Sequence, residues 1–134
     1  MKKYDVPQSV SKLVKLIQSM EGMNRQDKIG VVLSNIVLAK LLEYNKTGFN
    51  LPEGLPFDGE GLIFEDMTNI YQEARRLYIF SKNPQDNPPE ISGRKREDLF
   101  LEMIKGLNKE EGMLLSAVKD GKLHVLYPQL EEVC

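Results

Sequence analysis

Few residue types in this chain could carry chemistry, and they are sparsely placed. The single histidine, His124, and the single cysteine, Cys134, stand ten residues apart at the end of the chain. A thiolate–imidazole pair would have to be assembled there, on a terminus expected to fray. A metal centre needs three or four ligands, and these two types supply at most two. The carboxylates Asp58, Glu60, Glu65 and Asp66 are oxygen donors suited to a hard cation, but their spacing matches no calcium loop. The Gly59-Glu60-Gly61 triplet has the form of a phosphate loop without its context. No strand clearly precedes it, no lysine follows in place, and Asp58 and Glu60 repel an anion. No catalytic, cofactor or metal site is expected, and the chain reads as a non-enzyme. The polar residues left as a candidate interaction surface are Glu73, Arg75 and Arg76, and the basic triplet Arg94, Lys95 and Arg96. Surface ion pairing is the plain reading of the first group. Phosphate contact is the sharper reading of the second, although Glu97 and Asp98 weaken its field.

Glu73, Arg75 and Arg76 belong to the stretch Asp66–Lys82, around which the chain is organised. Met67, Ile70, Tyr71, Ala74, Leu77 and Tyr78 recur at helical spacing. At roughly 100° per residue they form one stripe about 120° wide, which must be buried. Burial of Tyr71, Ala74 and Tyr78 is thus expected, and Ile79 and Phe80 call for a second covered surface.

The remaining elements follow from periodicity and caps. A helix over about 7–20 starts near Pro7, with Gln8 or Ser9 as cap. It buries Val10, Leu13, Val14 and Ile17, turns Lys12, Lys15 and Gln18 outward, and ends at Gly22. Asn24 caps a second helix, with Asp27 near its positive end. Ile29, Val32, Leu33, Ile36 and Ala39 share one side of it, while Val31, Leu38, Leu41 and Leu42 point elsewhere. An apolar surface almost all round predicts the most buried helix of the molecule, or a homo-oligomer interface over 29–42. Residues 48–65, with Pro52 and Pro56 and apolar Leu51, Leu55 and Phe57, read as a loop covering the core. Residues 83–93 hold three prolines in eleven positions and read as an exposed connector. A helix over 95–106 buries Leu99, Phe100, Met103, Ile104 and Leu107. The next, 109–120, opens on a capping box from Asn108 to Glu111. His124–Tyr127 reads as a short extended piece. The expectation is one all-α domain over 1–134, a bundle of about five helices with a Pro/Gly-rich loop and a short extended C-terminal segment.

With 134 residues, 41% of them hydrophobic, the chain is sized for one core. Its formal charge of −2 gives no long-range field favouring nucleic acid or an anionic membrane. No apolar run approaches the ~18 residues of a membrane span, and MKKYDVPQ lacks the apolar core of a secretory signal. The protein is expected to stay where it is made.

The segments LPEGLPF, TNIYQEARRLYIF and RKREDLFLEMIKGLNKEEGMLLSAVKDGKL, in this order, resemble an uncharacterised family of small helical proteins from large contractile-tailed phages, including cyanophages. The likeness covers about 48–127. Where that family has LHPEEA, this chain has Leu107, Asn108, Lys109, Glu110, Glu111 and Gly112, so the family's histidine is missing. The resemblance implies a phage origin and action in the host cytoplasm or in the virion. The functional expectation is a module binding another protein, viral or host, without a cofactor. A nucleic-acid-binding accessory factor of phage replication or transcription is the alternative, and a structural part of the virion a weaker one.

Overall fold

Ser11 starts the first helix of the computed structural model, which describes residues 11–52 and 64–133. Its hydroxyl accepts the Val14 amide at 3.1 Å and caps α1, Lys12–Ser19. The expected cap residues Gln8 and Ser9 lie outside the described residues. Leu13, Val14, Ile17 and Met20 are buried, and Gly22, at φ +82°, turns the chain.

Asn24 then caps α2, Arg25–Ser34, by accepting the Asp27 amide at 2.8 Å. The single helix expected here is broken. Asn35 leaves helical geometry (φ −129°, ψ 103°), and its side-chain oxygen accepts the Leu38 amide, starting α3, Ile36–Thr47. An asparagine side chain competes for backbone amides, so an apparent interior position becomes a cap. The burial pattern inverts as a result. Leu38, Leu41 and Leu42 enter the core, while Leu33 and Ile36 on either side of the break are 79% and 77% exposed. The only α2 residue fully buried is Lys28, so this region is not the most buried helix of the fold.

Gly48 (φ +73°) closes α3, and Phe49 joins Tyr44, Phe80 and Phe100 in an aromatic cluster. Phe49 and Ser81 form an isolated antiparallel bridge. Of the covering loop, residues 53–63 lie outside the described residues. The segment after it straps the end of a later helix, α5 (Gly93–Gly106). The Glu65 amide donates to the Lys105 carbonyl at 2.7 Å, and the Met67 and Thr68 amides donate to the Gly106 carbonyl. These carbonyls would otherwise lack partners at a helix end.

The central helix departs from expectation in pitch. Asn69 caps a short α4, Ile70–Glu73, and the chain tightens into a 3-10 segment, Ala74–Phe80. With about 3.0 residues per turn in place of about 3.6, the inward positions become Leu77 and Phe80. Both are fully buried, as is Ile70. Ala74 is half-buried. Tyr71 and Tyr78 come out 39% and 42% exposed, and Met67 is more exposed still, against the stripe the sequence predicts.

The 83–93 connector holds one 3-10 turn, Pro84–Asp86, tied back by the Ser81 hydroxyl to the Asp86 carboxylate at 2.5 Å. Ser92 caps α5, which buries Phe100, Met103 and Ile104. Asn108 caps α6, Lys109–Lys119, by accepting the Glu111 amide at 2.9 Å. His124–Tyr127 is not extended. Asn45 accepts the Leu123 amide and starts a helical turn, α7, Leu123–Leu126. A final 3-10 segment, Pro128–Val133, follows it. Leu130 of that segment is fully buried and Gln129 donates to the Ile17 carbonyl, so this end is seated on the fold. The architecture is all-α, with one hydrophobic cluster drawn from α1, α3–α7, Phe49 and the 3-10 segments that hold Leu77, Phe80 and Leu130. Seven α-helical and three 3-10 segments appear among the described residues in place of about five helices.

Candidate functional site

The two groups of polar residues singled out by sequence are placed differently. Within the first, the Arg76 guanidinium donates to Glu73 at 2.9 Å, a pairing set by their three-residue separation on one helical turn. Glu73 also accepts from the Thr68 hydroxyl. Arg75 is exposed. Glu73 and Arg76 thus satisfy each other, as surface pairs commonly do, and about 0.5 kcal/mol is the scale of such a contact.

In the second group, Arg94 and Arg96 line a cleft of about 430 Å³ together with Lys82, Pro52 and Glu97. Lys95 is exposed but does not line it. Two of the cations are already engaged, because Lys82 donates to the Thr47 carbonyl at 3.0 Å and Arg96 to the Ile91 carbonyl at 3.1 Å. Arg75 and Arg76 are not part of this cleft.

A site that sequence reasoning treated only as a local cap lies at Glu111. The residue is 2% exposed. One carboxylate oxygen accepts the Ser11 hydroxyl at 2.6 Å and the other accepts the Ile70 amide at 3.1 Å. Ser11 caps α1, Ile70 opens α4, and Glu111 lies in the first turn of α6, so one carboxylate gathers the starts of three helices. Negative charge is favoured at such ends. Burial pushes the Glu111 carboxyl above its ordinary value. The bonds from Ser11 and Ile70 oppose that rise, and the charges of Asp66 and Glu110 add to it. Beside it opens a cleft of about 440 Å³, lined also by Lys12, Asn69, Tyr71 and Gln72. Of the three side chains expected to be shut away, Tyr71 alone lines it. Its hydroxyl accepts from the Asn35 side chain at 3.2 Å. Because each oxygen of Glu111 already holds a bond from the protein, the arrangement acts as a clamp between elements.

Among the described residues His124 Nδ1 is buried without a hydrogen-bond partner, in a cleft shared with Lys46 and Glu131. Cys134, its possible chemical partner, lies outside the described residues, as do Asp58, Glu60 and the Gly59–Gly61 triplet. Among the described residues no group of three or more His, Cys, Asp or Glu could hold a metal ion. None of the helices described is long and apolar enough to cross a membrane. Lys28 is buried on α2 and reaches Glu132 at 3.3 Å. Lys28, next to Asp27, leaves no sequence signal of that role, and the apolar pattern of 29–42 predicts burial for Leu33 and Ile36, which the break at Asn35 leaves exposed. Comparisons with protein-family models, with curated proteins and with solved structures each return no match.

Proposed function

We propose that the chain is a non-enzymatic protein-interaction module, encoded by a phage and acting in the infected cell. The observation that carries this reading is the exposure of Leu33 and Ile36 on the two sides of the Asn35 break. Large apolar side chains standing almost wholly in water are favoured by a partner that covers them. The phage setting rests on the resemblance of residues 48–127. The interaction surface shifts accordingly from the Glu73/Arg75/Arg76 face, whose charges are partly paired, toward α2 and α3. Photo-crosslinking from position 33 or 36 in infected cells tests it. A discrete crosslinked protein is expected, lost from position 33 in the Ile36→Asp variant and from position 36 in the Leu33→Asp variant, and the absence of any such product would overturn the reading.

A nucleic-acid accessory role is favoured by one observation, the shared cleft of Lys82, Arg94 and Arg96. It predicts retardation of DNA or RNA in a low-salt gel shift that fades steeply with added salt. No retardation removes it. Recovery of the chain from purified particles would instead support a structural place in the virion.

A further inference from the structure

A further cleft, between α2, the end of α3 and the last 3-10 segment, combines an apolar lining with cations. Ile29, Val32, Leu33 and Val133 give it an apolar lining, and Arg25 and Lys46 stand at its rim. Both cations are exposed, and neither takes part in an ion pair among the described residues. Glu132 also borders the cleft, but its charge is met by the Lys28 ammonium. The cleft therefore presents a net positive rim around apolar side chains.

Size and symmetry narrow the choice. At about 280 Å³ the cleft is open and lies below the ~300–1,000 Å³ of typical small-molecule pockets. It suits one or two inserted side chains. A second copy of this chain is disfavoured, because a two-fold contact sets the same patch against itself. Both copies of Arg25 and Lys46 would then be gathered into one interface, and like charges brought together oppose binding.

We propose that this cleft docks an acidic amphipathic segment of another protein, a bulky apolar side chain flanked by aspartates or glutamates. The apolar side chain packs between Ile29, Val32 and Leu33, and the flanking carboxylates meet Arg25 and Lys46. The inference rests on the protein-interaction reading above and gives that partner its chemistry.

Selection of a random-peptide display library on the purified full chain tests it. Enriched peptides are expected to carry Leu, Ile or Phe flanked by Asp or Glu. A synthesised winner should lose about tenfold or more in affinity to Leu33→Asp, and similarly to the Arg25→Glu/Lys46→Glu double variant, by fluorescence anisotropy. The same double variant should bind a version of the winner with lysine in place of each acid, a gain that misfolding cannot produce. Winners lacking acids, winners indifferent to both variants, or absence of the charge-swapped rescue would overturn the assignment. A dimer in sedimentation equilibrium that Leu33→Asp dissociates would also overturn it in favour of self-association. Peptides that bind elsewhere defeat this cleft alone, whereas failure of crosslinking in infected cells defeats the module reading itself.

Discussion

Glu111 sets the most direct tests at the level of single residues. At low pH its carboxyl is protonated in folded and unfolded chains alike. As pH rises the unfolded chain ionises first, because burial holds the folded group above its ordinary value. Stability linked to this residue is therefore fully present below the unfolded pKa and lost as pH climbs through the folded one. Glu111→Gln, which does not ionise, should flatten that part of the stability curve, measured by urea unfolding across a pH series. An unchanged slope would sink the idea. Glu111→Ala strands the buried Ile70 amide and should cost about 2 kcal/mol at the acid end of the series, and less as pH climbs through the folded pKa. The cap bond from the Glu111 amide to Asn108 was legible in the sequence, because the asparagine and the glutamate lie within one helical turn. The clamp was not, because Ser11 stands 100 positions away and no local pattern records such a pairing.

Among the helices, legibility followed the agreement of signals. For α6 the Asn108 cap and the apolar spacing point the same way, for α5 the spacing alone is clear, and both helices form within two residues of the expected bounds. Over 24–47 they conflict: fourteen residues of almost unbroken apolar pattern override one asparagine on paper, while the backbone obeys the asparagine. Asn35→Ala removes the cap on Leu38 and should cost about 1 kcal/mol in thermal or urea unfolding. The central segment failed for another reason. A helical stripe presumes one pitch, and nothing in the residue types announces the tightening at Ala74 that turns Tyr78 outward. Helix ends give a sharper comparison. A Cβ at Gly48 would stand 2.7 Å from the Lys119 carbonyl oxygen, whereas one at Gly22 meets nothing within 4 Å. Both positions have positive φ. Gly22→Ala should therefore cost about 1 kcal/mol, from backbone strain alone, and Gly48→Ala at least twice that. Equal losses would show that α3 and α6 separate freely enough to admit the methyl group.

For the molecule as a whole, the all-α class was readable from composition and periodicity, and the seating of the C-terminal segment was not. Leu130 and Val133 are a single apolar pair three residues apart, too short a pattern to announce burial, yet Leu130 is fully enclosed. Leu130→Ala should cost about 3 kcal/mol, the scale of a leucine truncation in a core, and a loss under 1 kcal/mol would mean that this end peels away cheaply. The Glu111 clamp also bears on how fast the molecule comes apart. Its partners lie 41 and 100 positions away along the chain, and contacts that close such long stretches form late, after nearer ones have nucleated. Interactions absent at the barrier top act on escape from the native basin. In a chevron experiment Glu111→Ala should steepen neither limb, leave the refolding rate nearly unchanged, and raise the unfolding rate by most of its equilibrium effect. One carboxylate thus works as a brake on opening, setting the lifetime of the native state more than the ease of reaching it.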